Sequence, residues 1–206
     1  MYLPPYFAED DREILYSVIR DNNFGVLVTT ADGVPLASHL PFLLEGDTLV
    51  AHMARANPQW EAFESGAEVL CIFHGPHGYI SPNWYVSKKA VPTWNYVAVH
   101  VCGTPRIIDD PAAALAMQER LVAAHEAGST TPWSMEGLPD GYIDGQLRAI
   151  VNFEIPIARI EGKFKLNQNR KPEDRAGVIS ALRQSSSAGD QELADLMAAR
   201  EPDPSA

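Results

Sequence analysis

Cysteine is scarce in this chain: Cys71 and Cys102 are the only two in 206 residues, far apart and without metal-ligand spacing. A disulfide framework and a thiolate metal centre are thereby excluded, and both residues read as small core side chains of a reducing compartment. Long apolar runs are also missing, and no stretch approaches the roughly 20 residues that a bilayer-crossing helix needs. The opening MYLPPYFAEDD has neither a basic nor an apolar targeting segment, so a cytoplasmic protein with no membrane partner is expected. Positive charge is in short supply, with 16 Lys and Arg against 27 Asp and Glu and a formal net charge of −11. That balance opposes non-specific binding to nucleic acid, which rests on neutralising phosphates.

Several motifs are absent as well. There is no G-x-G-x-x-G or Walker loop, no G-x-S-x-G elbow, no internal repeat, no heptad and no helix-turn-helix spacing, which removes the commonest dinucleotide, nucleoside triphosphate, serine hydrolase and DNA-reading architectures. Six histidines are present, but the tightest pair, His74 and His77 in HGPH, reads as a turn with no third ligand beside it, so no metal site is expected.

Local patterns supply the elements. A helix is expected after Asp10 and Glu13, with Ile14, Leu15, Val18 and Ile19 at helical spacing. FGVLVTT, the turn Ala31-Asp32-Gly33, the returning strand VPLASHLPFLLE, the turn Gly46-Asp47 and the strand carrying His52 then form an antiparallel meander. AEVLCIFHG and a long strand after Val91, broken near Gly103 and Pro105, follow, with Lys88-Lys89 as an exposed loop. A helix capped by Asp110 and ended by Gly128 is next, then a short helix near Tyr142 to Leu147, one last long strand from Ile150 to Leu166, and helices over 172–182 and 191–199. Six or so strands in hairpin order, with helices at the ends, predict a mainly β, α+β architecture: a small closed or split antiparallel barrel over residues 1–185, followed by an acidic, partly helical tail over 186–206.

Function is most legible in LVAHMARANPQW, residues 49–60. Asn57 suits an N-cap, Pro58 the first helical position, and Arg55 precedes the cap by two residues, so a guanidinium and free backbone N–H groups would favour a phosphate. On this stretch alone the plainer alternative, a capped surface helix beside a solvated arginine, weighs slightly more. Polar and aromatic residues gather at other strand ends too: Ser38, His39 and Pro41, expected on a strand next to that of His52; Thr93, Trp94 and Asn95 before Tyr96; and Lys165, Gln168 and Asn169 beside Arg170. Basic residues crowd into Lys163, Lys165, Arg170, Lys171 and Arg175, and a small anionic ligand explains them better than a duplex does. Together these groups suit a flat heteroaromatic ligand with a phosphate tail.

MYLPPYF, HMARANPQW, YISPNWY, VPTWNY with AVHVCG, and IEGKFKLNQNR with DRAGV resemble, in this order from Met1 to about Leu182, the motifs of the PaiB family, the FMN-binding negative transcriptional regulators. The resemblance implies an FMN-binding split barrel similar to pyridoxamine phosphate oxidase-like proteins, usually homodimeric, with flavin at the subunit seam. It further implies His52, Arg55 and Asn57 near the FMN phosphate or ribityl chain, Ser38, His39 and Pro41 along the ring, Thr93, Trp94 and Asn95 beside it, and Lys165, Gln168 and Asn169 closing the site. Asn167 stands where the family phrase carries serine. A regulatory flavoprotein acting on DNA or through a regulatory protein is the function so implied. A flavin-dependent oxidoreductase is the alternative, with His39 and His52 as acid–base candidates, and a haem-binding split barrel is the outsider, so whether the chain is an enzyme stays open.

Overall fold

The computed structural model describes residues 1–87, 90–139 and 141–200. The expected Lys88-Lys89 loop and the last part of the acidic tail lie outside the described residues. Ten strands and five α-helices are found among them: β1 (Ala8–Glu9), α1 (Arg12–Asp21), β2 (Phe24–Ala31), β3 (Val34–Pro41), β4 (Leu43–Glu45), β5 (Thr48–Ala54), β6 (Val69–Ile80), β7 (Thr93–Gly103), β8 (Arg106–Ile107), α2 (Pro111–Glu126), α3 (Tyr142–Arg148), β9 (Ile150–Pro156), β10 (Arg159–Lys165), α4 (Pro172–Arg183) and α5 (Ala188–Ala199). Short 3₁₀ helices occupy Pro5–Phe7, Pro58–Ser65 and Pro82–Trp84.

The strands make two antiparallel sheets, one in the order β1-β10-β7-β6-β2-β3 and one in the order β4-β5-β9-β8. The α+β, antiparallel architecture is as expected, but both sheets are open, so of the expected closed or split barrel the closed form is corrected to two sheets with free edges. The sequence pattern misses this because the chain changes sheet inside two stretches that look continuous. Phe42 separates β3 from β4, with its side chain 1% exposed and its N–H bonded to the Asn23 carbonyl at 2.8 Å. The presumed single strand Ile150–Leu166 likewise divides at Ile157-Ala158 into β9 and β10, which belong to different sheets.

The chain forms two compact units. One contains residues 1–18, 74–99 and those from Glu161 onward; the other contains 19–73 and 100–160. In the second unit the β2–β3 hairpin turns at Asp32 and Gly33, whose φ values of 51° and 77° are the left-handed pair a two-residue hairpin requires. Its core packs Val50 with Met117 and Leu121 of α2, backed by Leu43 and Ile108. Asp110 caps α2 as expected, its carboxylate accepting from the Ala113 N–H at 2.8 Å. In the first unit Asp11, rather than Asp10, caps α1 by accepting from the Glu13 and Ile14 N–H groups at 2.9 and 3.3 Å. HGPH is not a turn. It continues β6, where Gly75 leaves room for Val97, whose Cβ would lie 3.0 Å from a methyl added there.

Candidate functional site

Residues 49–60 fold much as their chemistry dictates. β5 pairs with β9 in a register that sets His52 opposite Asn152 and Ala54 opposite Ile150. Asn57 caps the following helix, its carbonyl oxygen accepting from the Gln59 N–H at 3.0 Å while its amide donates to Ser38 Oγ at 2.9 Å. The helix is 3₁₀, which weakens the dipole available to an anion compared with an α-helix. Gln59, buried, ties this turn to the β2–β3 hairpin by donating to the Leu27 and Leu36 carbonyls at 3.1 Å each.

Arg55 is more constrained than a solvated arginine. Its Nε donates to the Arg148 carbonyl at 3.0 Å and Nη2 to the Ile150 carbonyl at 2.8 Å, while Cζ lies 5.9 Å from the Trp60 ring centroid. The Trp60 indole in turn donates to the Arg55 carbonyl at 3.0 Å. A guanidinium carries five N–H groups, so among the described residues three remain for a ligand. Arg55 lines a cavity of about 480 Å³ whose apolar wall is Ile107, Ile108, Leu147 and Ile150 and whose polar groups are Arg148, Asp109, Asp144 and Asn152.

A polar chain ends at this cavity. The Gln118 amide nitrogen donates to Asn152 Oδ1 at 2.6 Å and lies 3.1 Å from His52 Nδ1. Because an amide nitrogen only donates, Nδ1 accepts and the ring proton sits on Nε2. Burial lowers the His52 pKa and so favours this neutral form. Ser38 and Asn57 are thus joined, and His52 and Arg55 sit along one strand and its end. β3 pairs with β2, and β5 with β4 and β9, so the expected neighbouring strands are not hairpin partners. His39 is exposed, its ring 6.2 Å from that of Phe24, and strand alternation directs it to the face opposite Ser38; Pro41 closes β3 half-buried.

The remaining expected residues lie in the other unit. Lys165 Nζ donates to Thr93 Oγ1 and to the Trp94 carbonyl, the latter at 2.5 Å. Trp94 is exposed and meets Tyr79 edge-on at 6.1 Å. Asn95 is fully buried, its amide donating to Met197 Sδ at 3.4 Å. Gln168 folds back on its own turn, donating to the Phe164 carbonyl at 2.5 Å and accepting from the Leu166 N–H at 2.7 Å, and Asn169 is exposed beyond it. Asn167 has a positive φ of 64° and donates to the Tyr85 hydroxyl at 3.2 Å; asparagine tolerates that backbone better than serine does. Sequence reasoning overlooked Gln118 and Asn152. An asparagine inside the apolar strand IVNFEIP was the available signal, whereas Gln118 on a helix surface gave none.

The family described as "Putative FMN-binding domain" matches residues 1–159. The "Protease synthase and sporulation protein PAI 2" of Bacillus subtilis is 36% identical over 203 residues, covering 96% of each chain. An uncharacterized protein of Emericella nidulans is 34% identical, covering 88% of this chain and 90% of its own. Among solved structures, the flavocytochrome Anf3 from Azotobacter vinelandii superposes with a TM-score of 0.63 at 18% identity, over 83% of this chain and 75% of that one. The FAD and heme binding protein from Mycobacterium smegmatis gives 0.61 at 19% identity, over 82% and 78%. At such identities the likeness concerns the fold.

Proposed function

We propose a flavin-dependent role for this chain, which belongs to the PaiB family of FMN-binding-domain proteins. In this reading it is a regulatory flavoprotein that holds FMN in the Arg55 cavity. The observation that carries the reading is Arg55 itself, anchored by two backbone carbonyls at the edge of a cavity of about 480 Å³, a volume within the range of small-molecule sites. The donor set fits a flavin: three free guanidinium N–H groups for the phosphate, Ile107, Ile108, Leu147 and Ile150 for the ring face, and Asn152 for its polar edge. Asp109 and Asp144 also line the cavity and disfavour an anion, so Arg55 and Arg148 are the residues that would hold the phosphate. Bound flavin would supply redox chemistry, and the protein's share is to bind, orient and exclude water.

With a net charge of −11, regulation through a protein partner or a metabolite fits better than operator contact, and a gel-shift series across salt tests direct binding. A homodimer is part of the reading. β3 ends the larger sheet, and Val34 and Leu36 on it and Phe24 on β2 are exposed, an open edge of the kind that a second subunit covers. Sedimentation showing a lone monomer would remove that element. A second reading, an oxidoreductase, is favoured by the chain His52-Gln118-Asn152, which leads a neutral imidazole toward the cavity wall; no oxidation of reduced nicotinamide in the presence of FMN would remove it. The absorption spectrum of the purified protein separates flavin from haem. In an FMN titration, Arg55→Ala is expected to bind at least tenfold more weakly, since a charge-assisted hydrogen bond contributes about 1.5–3 kcal/mol. Equal affinity in the variant and the wild type overturns the placement.

A further inference from the structure

A second cationic cavity lies wholly within the first unit. It has a volume of about 650 Å³, and its walls are the N-terminal segment carrying Tyr2 and Tyr6, the ring of Tyr96 on β7, and Lys163 and Lys165 on β10. Lys163 is 8% exposed, yet among the described residues its ammonium makes one hydrogen bond, to the Tyr2 carbonyl at 2.9 Å, and otherwise faces the rings of Tyr2 and Tyr96, with centroids at 5.3 and 5.5 Å. Lys165, half-buried, rests on Thr93 and the Trp94 carbonyl.

Among the described residues no carboxylate pairs with either ammonium. The nearby acids on β10 and β1 are engaged elsewhere, Glu161 with the N-terminal ammonium at 2.6 Å and Glu9 with Arg200. Burial, and then the neighbouring charges of Lys163 and Arg170, lower the Lys165 pKa. A buried and a half-buried cation without a paired carboxylate are costly, and an anion entering the cavity offsets that cost. The tyrosine rings add faces on which a planar group can stack, and the exposure of Tyr2 and Tyr6, at 84% and 65%, leaves the rim open to it.

We propose that this tyrosine–lysine basin binds a small aromatic anion, a planar ring bearing a carboxylate or a phosphate, at a site separate from the Arg55 cavity. The ring lies against Tyr2, Tyr6 and Tyr96, and the anionic group meets the Lys163 and Lys165 ammonium groups.

The full-length protein, titrated calorimetrically with benzoate, phenyl phosphate, benzyl alcohol and inorganic phosphate, tests this. One or both aromatic anions are expected to bind at least tenfold more tightly than benzyl alcohol and inorganic phosphate, and comparing benzoate with phenyl phosphate identifies the preferred head group. Lys165→Met and Lys163→Met should each weaken the better probe at least tenfold, and Tyr6→Ala, on the exposed rim, severalfold. Should Lys163→Met fail to fold, Lys165→Met and Tyr6→Ala decide the matter. Binding that ignores charge, inorganic phosphate binding as well as the aromatic anions, or variants that bind like wild type overturn the proposal. FMN is titrated into Lys163→Met and Tyr6→Ala, which lie outside the residues that the family resemblance assigns to the cofactor: retained FMN affinity is expected, while parallel loss of FMN and probe would assign the basin to the cofactor and sink the separate site. Failure of Arg55→Ala to weaken FMN, by contrast, leaves the basin result standing.

Discussion

The two cationic cavities hold their charges by opposite means. Arg55 sits at the exposed end of β5, and backbone carbonyls of Arg148 and Ile150 fix its guanidinium so that a fork of donors is left over. Lys163 is buried in a strand interior, where, among the described residues, one carbonyl and two aromatic faces offset its charge. A fixed planar fork suits bidentate recognition of a phosphate, whereas partly desolvated point charges suit any anion that brings its own apolar surface. The difference teaches that charge count alone is a poor guide to a ligand; what each cation has already been given decides what it still needs.

The scaffolds behind the two cavities differ too, and the largest expected effect tests this. A methyl added at Gly103 would stand 2.2 Å from the Pro156 carbonyl oxygen and 2.8 Å from Ile155 Cγ2, a clash whose nearest atom is backbone, at the end of the β9 strand that carries Asn152. At Gly162, next to Lys163, the closest atom is instead Leu15 Cδ2 at 2.1 Å, the end of a buried side chain that can turn aside more readily than backbone can. Gly103→Ala is therefore expected to cost about 3 kcal/mol and Gly162→Ala about 1–2 kcal/mol, by the usual penalties of overpacking. Chemical denaturation of both variants measures this, and a larger loss at Gly162 would break the contrast.

Acid should act on the Arg55 region through His52. Its folded pKa lies below the ordinary histidine value because burial opposes the charge. In the window beneath about 6.5 the unfolded chain thus binds the proton first. Stability is full above that value and falls as pH drops through it. Protonation also turns Nδ1 into a donor facing the Gln118 amide nitrogen 3.1 Å away. His52→Gln is expected to flatten the stability–pH curve between pH 7.5 and 5.5; an unchanged slope would show that another group carries it. Lys165, also lowered by burial, has the same sign but acts in the alkaline range, so its cost is already present at neutral pH and is relieved as pH rises.

What could be read from the sequence was whatever a short stretch decides for itself. The Asp32-Gly33 turn and the Asn57 and Asp110 caps depend on side chains bonding the backbone two or three residues away. The changes of sheet at Phe42 and at Ile157-Ala158 depend on partners far along the chain, and no local signal marks them. HGPH misled because glycine and proline usually mark turns, whereas here Gly75 makes room for Val97 within β6. At the candidate site Arg55 and Asn57 were legible as a pattern, but the carbonyls that clamp Arg55 come from residues 148 and 150. Lys163 read as one member of a basic run, because burial of a strand lysine beneath an N-terminal segment is decided by tertiary packing.

The smallest contrast lies at the surface. In one unit Arg120 Nε and Nη2 reach both oxygens of Glu45, at 2.6 and 3.2 Å. In the other, Arg183 Nε and Nη2 share a single oxygen of Asp195, at 3.3 and 3.1 Å, with that carboxylate 72% exposed. Both pairs are screened by water, so neither contributes much, yet geometry ranks them: two parallel bonds restrict the fork more usefully than two long bonds to one atom. Double-mutant cycles to alanine should give a coupling of roughly 0.5–1 kcal/mol for Arg120 with Glu45 and about 0.2 kcal/mol for Arg183 with Asp195. Molar salt should shrink both, since the screening length then falls to about 3 Å. Equal couplings at low salt would mean that bidentate geometry confers no advantage on an exposed pair, and the ranking of anchored over loosely held cations would then apply only inside the cavities.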